Sequence, residues 1–254
     1  MYPLLFRLGG LTVYAYGFFL ALGFIFGLVL AISKAQKEGL PFERIIDLFF
    51  LTVFSAILGS RALFVVINFD LYRENPLDMF KLWEGGLVFY GGLVLAAAVA
   101  ILYLKIRRLP IWKLADLFSP PISLGLFFGR IGCFFAGCCY GKETSLPWGV
   151  IFTDRNSLAP LNVFLHPTQL YDAASGLGIF FFLIWWERRK SFNGQVFWLF
   201  LLLYSCSRFF IEILRGDPRG FMFNGLLSTS QGLGIFLAAL SLFMLLYLKK
   251  YHRR

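Results

Sequence analysis

The sequence predicts an all-α integral membrane protein of about seven transmembrane helices, and three observations predict it. Apolar runs long enough to cross a bilayer recur along the chain, only 15% of residues are charged, and basic residues gather beside the runs. With 59% hydrophobic residues and 32 phenylalanines among 254, the chain holds more long apolar segments than a soluble core can hide from water. The net charge of +10 points to no nucleic-acid partner. It sits in short clusters (Lys105, Arg107, Arg108; Arg188, Arg189, Lys190; Lys249, Lys250, Arg253, Arg254) and forms no basic stripe interleaved with polar or aromatic readers.

A spanning helix takes about 20 apolar residues. The candidates are 12–32, 45–68, 87–104, 116–136, 173–186, 195–214 and 227–248, the fifth being the shortest. The first follows a single Arg7 and has no clear small-residue cleavage site behind it, so a retained helix is expected there. Connections are brief except 69–86, where a small amphipathic helix is expected, and 137–172, which is polar and carries prolines and asparagines. Long ordered loops carry function more often than not. No internal repeat divides the chain, so a single polytopic membrane domain over 1–254 is expected, with the long loop outside. The connections after helices 1, 3 and 5 and the C-terminus hold 14 Lys and Arg, against 7 on the other side. The positive-inside rule then places the N-terminus outside and the C-terminus in the cytoplasm.

Arg61, Arg130 and Arg208 lie inside or at the ends of apolar runs. An ionised side chain costs roughly 2.5–3.5 kcal/mol in the bilayer even on lenient scales, so it usually faces a polar cavity. Glu212 follows Arg208 by four residues and Arg215 by seven, which puts the three on one helical face. The plainer reading of Arg208 and Glu212 is an internal ion pair locking two helices. Arg130 has no carboxylate among its sequence neighbours. In the expected topology Arg130, Arg208, Glu212 and Arg215 reach the outer side together with Tyr14, Tyr16, Gly17, Tyr90, Gly91 and Gly92. Arginine forks match phosphate oxygens and tyrosines tolerate a half-wet boundary, so a phospholipid headgroup fits this level. Each tyrosine alone reads equally as part of an interfacial aromatic belt.

Three thiols, Cys133, Cys138 and Cys139, follow Arg130 closely, and a neighbouring cation raises the thiolate fraction. Burial as small apolar residues is the alternative, and it is the reading kept for Cys206. The C-x4-C-C spacing matches no standard zinc pattern, and no metal or cofactor is expected. In the long loop, His166-Pro167-Thr168-Gln169-Leu170-Tyr171-Asp172 precedes the fifth helix. His166 is either a hydrogen-bonding fixture or part of the site, and the Thr168–Tyr171 stretch also suits a helix start.

Taken in order, these segments resemble the prolipoprotein diacylglyceryl transferase family along nearly the whole chain. The resemblance rests on Tyr16-Gly17; Trp83-Glu84-Gly85-Gly86-Leu87 and Tyr90-Gly91-Gly92-Leu93; Gly129-Arg130-Ile131-Gly132 through Gly141; Pro147-Trp148-Gly149; His166 through Tyr171; Tyr204, Ser207-Arg208, Glu212 and Arg215; and Ser230-Gln231. It implies a multi-pass enzyme of the bacterial inner membrane with its site toward the periplasm. Such an enzyme moves diacylglyceryl from phosphatidylglycerol to the lipobox cysteine of a prolipoprotein and releases glycerol phosphate. On the resemblance, Arg130 and Arg208 match the arginines that hold the lipid phosphate. Tyr16, Tyr204, Glu212, Arg215 and Gly141 match residues that shape the site. Tyr90 stands where the family's Gly-Gly-Leu motif usually begins with the His that is its candidate base. Cys133 stands for a usual Asn, and Cys138 for an acidic or polar residue. The expected catalytic set is therefore Tyr90, Arg130 and Arg208. The expected substrate-binding set adds Tyr16, Gly91, Gly92, Cys133, Cys138, Cys139, Gly141, His166, Gln169, Tyr204, Glu212 and Arg215. Two other readings stay open: a same-fold enzyme using the three thiols in redox or transfer chemistry on another substrate, and a non-catalytic lipid- or peptide-binding membrane protein.

Overall fold

The computed structural model describes residues 2–9, 11–73, 75–82, 85–217, 220–222 and 227–251; Trp83, Glu84, Arg253 and Arg254 lie outside the described residues. Among the described residues there are seven α-helices: α1 (Ala15–Lys37), α2 (Phe42–Ile67), α3 (Phe89–Ile106), α4 (Ile111–Ala136), α5 (Thr168–Glu187), α6 (Gln195–Ile213) and α7 (Thr229–Tyr251). Six of them are long and apolar enough to cross a membrane. The exception is α5, whose first five residues include the polar Thr168, Gln169 and Asp172. The chain is thus an all-α integral membrane protein, and it divides into two compact units, residues 1–31 with 115–254, and residues 32–114.

Several boundaries differ from those expected. The first helix begins at Ala15, because Leu11–Tyr14 is a strand (β2) paired antiparallel with Leu4–Leu8 (β1). Gly9 at φ +58° permits the turn, and the alternating Leu-Thr-Val-Tyr segment favours extended backbone. Helices α4 and α5 each start five residues earlier than expected, which shortens the long loop at its far end. The segment after α2 forms two 3-10 turns, Phe69–Tyr72 and Pro76–Phe80, since Asn68, Asn75 and Pro76 interrupt any longer helix.

In the unit of residues 32–114, α2 and α3 run antiparallel and touch backbone to backbone. A Cβ at Gly59 would overlap the Gly91 carbonyl and one at Gly91 the Gly59 carbonyl, while one at Gly92 would strike Ser60. Without a hydrophobic drive between helices in lipid, such small-residue contact is what holds them. At the other end Tyr103 donates to Asp47 at 3.0 Å. Arg61 is buried, and its guanidinium donates to the carbonyls of Asp78, Met79 and Gly85 at 2.8, 2.8 and 2.7 Å. Its charge is spent on fastening the loop before α3, with the Phe64 and Tyr72 rings alongside.

In the other unit, α1 and α4 are antiparallel: Gly23 faces Gly125 and Phe128, Gly132 faces Tyr16 and Phe19, and Phe19 stacks on Phe135. Ser123 of α4 donates to the Gly176 carbonyl of α5 at 2.8 Å. Ile179 and Leu183 of α5 pack on Val196 and Phe200 of α6. The fully buried Asp116 of α4 accepts from the amides of Gly194 and Phe197 at 2.8 and 2.9 Å, capping the start of α6 from a distance. Replacing it strands two buried donors. We expect Asp116→Ala to cost about 1–3 kcal/mol, read as a lowered Tm in detergent; an unchanged Tm would show the cap is dispensable.

Candidate active site

Within the unit of residues 1–31 and 115–254, the ends of α4, α5 and α6 carry the ionised side chains of one cluster. Asp172 sits one turn into α5, and three guanidinium groups converge on its Oδ2: Arg130 Nε at 3.3 Å, Arg208 Nη1 at 3.3 Å and Arg215 Nη1 at 3.6 Å. Arg208 also pairs with Glu212 one turn along α6 at 2.7 Å. The helix stops at Ile213, so Arg215 is not on the α6 face expected from its i+7 spacing. It sits instead in a backbone bridge with Gly141, supported by Lys142 N–H to Leu214 O at 2.8 Å and Gly216 N–H to Tyr140 O at 3.1 Å. From there it reaches back to Asp172 and forks onto Asp217, with two contacts of 2.9 Å.

Glu212 is held from its other side by α7. Ser228 and Gln231 form a reciprocal capping box, Ser228 N–H to Gln231 Oε1 at 3.0 Å and Gln231 N–H to Ser228 Oγ at 3.1 Å, and the Ser228 hydroxyl donates to Glu212 Oε1 at 3.0 Å. Arg208, Arg215, Asp172 and Glu212 are all buried. Arg130 is the most open of the three arginines, its side chain 17% exposed. Among the described residues no hydrogen bond engages its two terminal nitrogens, which leaves a fork of donors at the edge of the cluster. Tyr204 of α6, stacked on Phe200, and Tyr16 of α1 both lie within electrostatic reach of Arg130.

The three thiols stand beside these arginines. Cys133 is in the last turns of α4, and Cys138 and Cys139 follow the helix. Their sulfurs all lie within 4.8 Å of one another. Hydrogen bonds from Cys133 and Cys138 hold the Cys139 thiol well below the usual range, and Arg215 and Arg130 add to this against the cost of burial. Cys138, by contrast, is pushed up by its hydrogen bonds to Cys133 and Cys139.

The loop of residues 137–167 is latched to this cluster by the motif before α5. Thr168 Oγ1 donates to Cys139 O and Gln169 Nε2 to Cys138 O, both at 2.8 Å. Gly141 N–H donates to His166 O, and His166 N–H to Lys142 O. A Cβ on Gly141 would meet the backbone and side chain of His166, so glycine is required by close approach. The His166 ring turns to Tyr171, whose hydroxyl accepts from Trp148 Nε1 at 2.8 Å. His166 and Gln169 thus act as fixtures of the loop. Beside the cluster, Tyr16 helps line a pocket of about 280 Å³ together with Leu4, Arg7, Tyr14, Ala136 and Leu158.

The expected residues Tyr16, Arg130, Cys133, Cys138, Cys139, Gly141, His166, Gln169, Tyr204, Arg208, Glu212 and Arg215 therefore all belong to one unit. Tyr90, Gly91 and Gly92 belong to the other, where both glycines serve the α2–α3 contact and Tyr90 packs edge-on against Phe89. Asp172 is not among the residues expected from the sequence, yet it is the shared partner of the three arginines. Its signal is a carboxylate one turn into an apolar helix, the same kind of signal that singled out the arginines. Removing it takes from Arg130 its one carboxylate among the described residues and from Arg208 and Arg215 the charge they share. Asp172→Ala should cost about 3–5 kcal/mol, seen as a collapse of the Tm in detergent, whereas a Tm within a degree of the parent would contradict the shared-carboxylate geometry.

The family model for prolipoprotein diacylglyceryl transferase matches residues 3–247. A phosphatidylglycerol–prolipoprotein diacylglyceryl transferase of Clostridium tetani is 38% identical over 244 residues, covering 96% of each chain. A second such protein, from Clostridium perfringens, is 38% identical over 229 residues, 90% of this chain and 88% of its own. A third, from Bordetella avium, is 34% identical over 254 residues, 96% of this chain and 94% of its own. The chain belongs to the prolipoprotein diacylglyceryl transferase family.

Proposed function

We propose that this multi-pass membrane protein transfers the diacylglyceryl group of phosphatidylglycerol to the thiol of a lipobox cysteine in a prolipoprotein. The observation that carries the reading is the convergence of Arg130, Arg208 and Arg215 on Asp172 at one end of a set of apolar helices. The names of the relatives give the two substrates, and the cluster supplies what the chemistry asks for. The acceptor thiol loses its proton, its sulfur attacks the sp3 carbon of the glyceryl unit, and a C–S bond forms as the C–O bond to phosphate breaks. The electron pair leaves with glycerol phosphate, whose phosphate gains one negative charge over the diester. Cations that gain attraction as that charge grows favour the transition state over the bound substrate.

In this reading Arg130 and Arg208 are catalytic and hold the phosphate, the open fork of Arg130 meeting it first and Arg208 from the buried side. Arg215, Glu212 and Asp172 set the positions of those two. Tyr16 and Tyr204 border the lipid, Gly91 and Gly92 hold α3 against α2 beneath Tyr90, and Gly141, His166 and Gln169 keep the loop in place. Tyr90 takes the proton from the acceptor thiol, which is supported by its position in the family's motif. The site faces the periplasm from the inner membrane, as supported by the excess of Lys and Arg in the connections on the opposite side.

Purified chain given phosphatidylglycerol and a lipobox peptide should yield a diacylglyceryl thioether and glycerol phosphate. Arg130→Lys and Arg208→Lys should each lower kcat by about 10²–10³, because a lysine point charge does not replace a fork. Tyr90→Phe should lower the rate by about 10²–10⁴, and full activity in it would remove Tyr90 as the base. No thioether from the parent chain would sink the whole reading. For the topology, alkaline phosphatase fused after Lys250 should be inactive in cells and one inserted after Asp154 active; the reverse pattern would invert the assignment.

A further inference from the structure

The transfer reaction takes its nucleophilic thiol from the acceptor protein, so its bond-making step does not call on the three further thiols at the site. They are nonetheless arranged. Gly137 at φ +76° ends α4, and Cys139 takes the left-handed conformation at φ +60°, which a side chain adopts only when its surroundings hold it there. Those surroundings are the fully buried Thr168 and Gln169, which hold the Cys139 and Cys138 carbonyls. In an extended chain consecutive side chains point to opposite faces. The left-handed residue breaks that alternation and lets Cys138 and Cys139 meet Cys133 at one point, with Cys138 Sγ 3.8 Å from the Cys133 carbonyl. All three are free thiols.

We propose that Cys133, Cys138 and Cys139 form a three-thiolate site for a thiophilic d10 cation, Zn(II) or Cu(I). Zinc–sulfur bonds of about 2.3 Å place three sulfurs about 4 Å apart, so sulfurs already within 4.8 Å need close by less than about 1 Å. Thiolates select Zn and Cu(I) over hard oxygen-seeking cations, and three protein ligands leave one zinc coordination position open. Binding releases to solvent the proton of each thiol that ionises and transfers no electron. The complex of three thiolates with Zn(II) carries one net negative charge, and with Cu(I) two. Arg130 and Arg215, both within electrostatic reach of Cys139, offset that charge. These are cations of the phosphate site, so a loaded thiol site competes with the lipid phosphate; this last step rests on the proposed function, whereas the metal binding does not.

The test uses the full chain in detergent, reduced and handled anaerobically, titrated separately with Zn(II), Cu(I) and, as a spectroscopic probe, Cd(II). One ion per chain is expected, with a thiolate-to-cadmium charge-transfer band and three sulfur neighbours by X-ray absorption on the unaltered protein. Serine at Cys133, Cys138 or Cys139 should weaken binding by more than about 100-fold, beyond what loss of a supporting partner costs, while Cys206→Ser leaves it unchanged. Competition against chelators of known affinity tells which of Zn(II) and Cu(I) the site prefers. Absence of the band, fewer than three sulfurs around the ion, or a stoichiometry that survives serine at all three positions would overturn the site. In the transfer assay, one equivalent of the preferred ion should inhibit and a chelator restore the rate. Undiminished turnover by the metal-loaded chain would overturn the competition and leave the binding result standing.

Discussion

The Asp172 carboxylate, shared by guanidinium groups from α4, from α6 and from the segment after α6, is the interaction on which the rest of the site depends. Three arginines cannot be brought this close in a membrane-spanning frame without anions between them. The desolvation cost of each ion is several kcal/mol, and attraction offsets it only where the geometry is close and the remaining donors are satisfied. Asp172 supplies the common centre, Glu212 and Asp217 take the outer faces of Arg208 and Arg215, and the capping box of α7 fixes Glu212. One end each of α4, α5, α6 and α7 is thereby tied into the same set of charges. The latch of residues 137–167, running through Gly141, His166, Thr168 and Gln169, is the backbone counterpart of that arrangement.

The same balance explains how a stable ionic cluster can act on a phosphate. Arg208 and Arg215 are buried and paired, so they hold position rather than move. Arg130 has its Nε on Asp172 and its terminal nitrogens unused among the described residues, so under the proposed function an arriving phosphodiester would meet a fork whose orientation is already set. Preorganised donors of this kind cost no rearrangement when charge develops on the leaving group. The thiols complicate the picture, since a thiolate at Cys139 would compete for the same cations.

Much of this was legible in the sequence and some was not, for identifiable reasons. Helices announce themselves through apolar runs of bilayer length, and all seven were anticipated to within a few residues. The exceptions lay where local chemistry outranks hydropathy: Leu11–Tyr14 pairs as a strand across a glycine turn, and α5 begins on the polar Thr168, which ends the apolar window early. Charged residues in apolar runs point to Arg130 and Arg208, but the same signal raises Arg61, whose guanidinium serves the loop carbonyls before α3 instead. Intramembrane charge marks a constraint, and only the partners decide whether it is structural. Asp172 was overlooked because its three partners lie 36 or more residues away in sequence, beyond any i,i+4 argument. Periodicity puts Arg215 on the α6 face, whereas the helix ends two residues before it.

Under the proposed function, this arginine cluster recognises the phosphate of a lipid. Native mass spectrometry of the full chain in a phosphate-free detergent, titrated with phosphatidylglycerol and with diacylglycerol of the same chains, tests it most directly. Preferential retention of phosphatidylglycerol is expected, with loss of that preference in a folded Arg130→Gln variant. Equal retention of the two lipids by the parent chain, or an unchanged preference in Arg130→Gln, would contradict it.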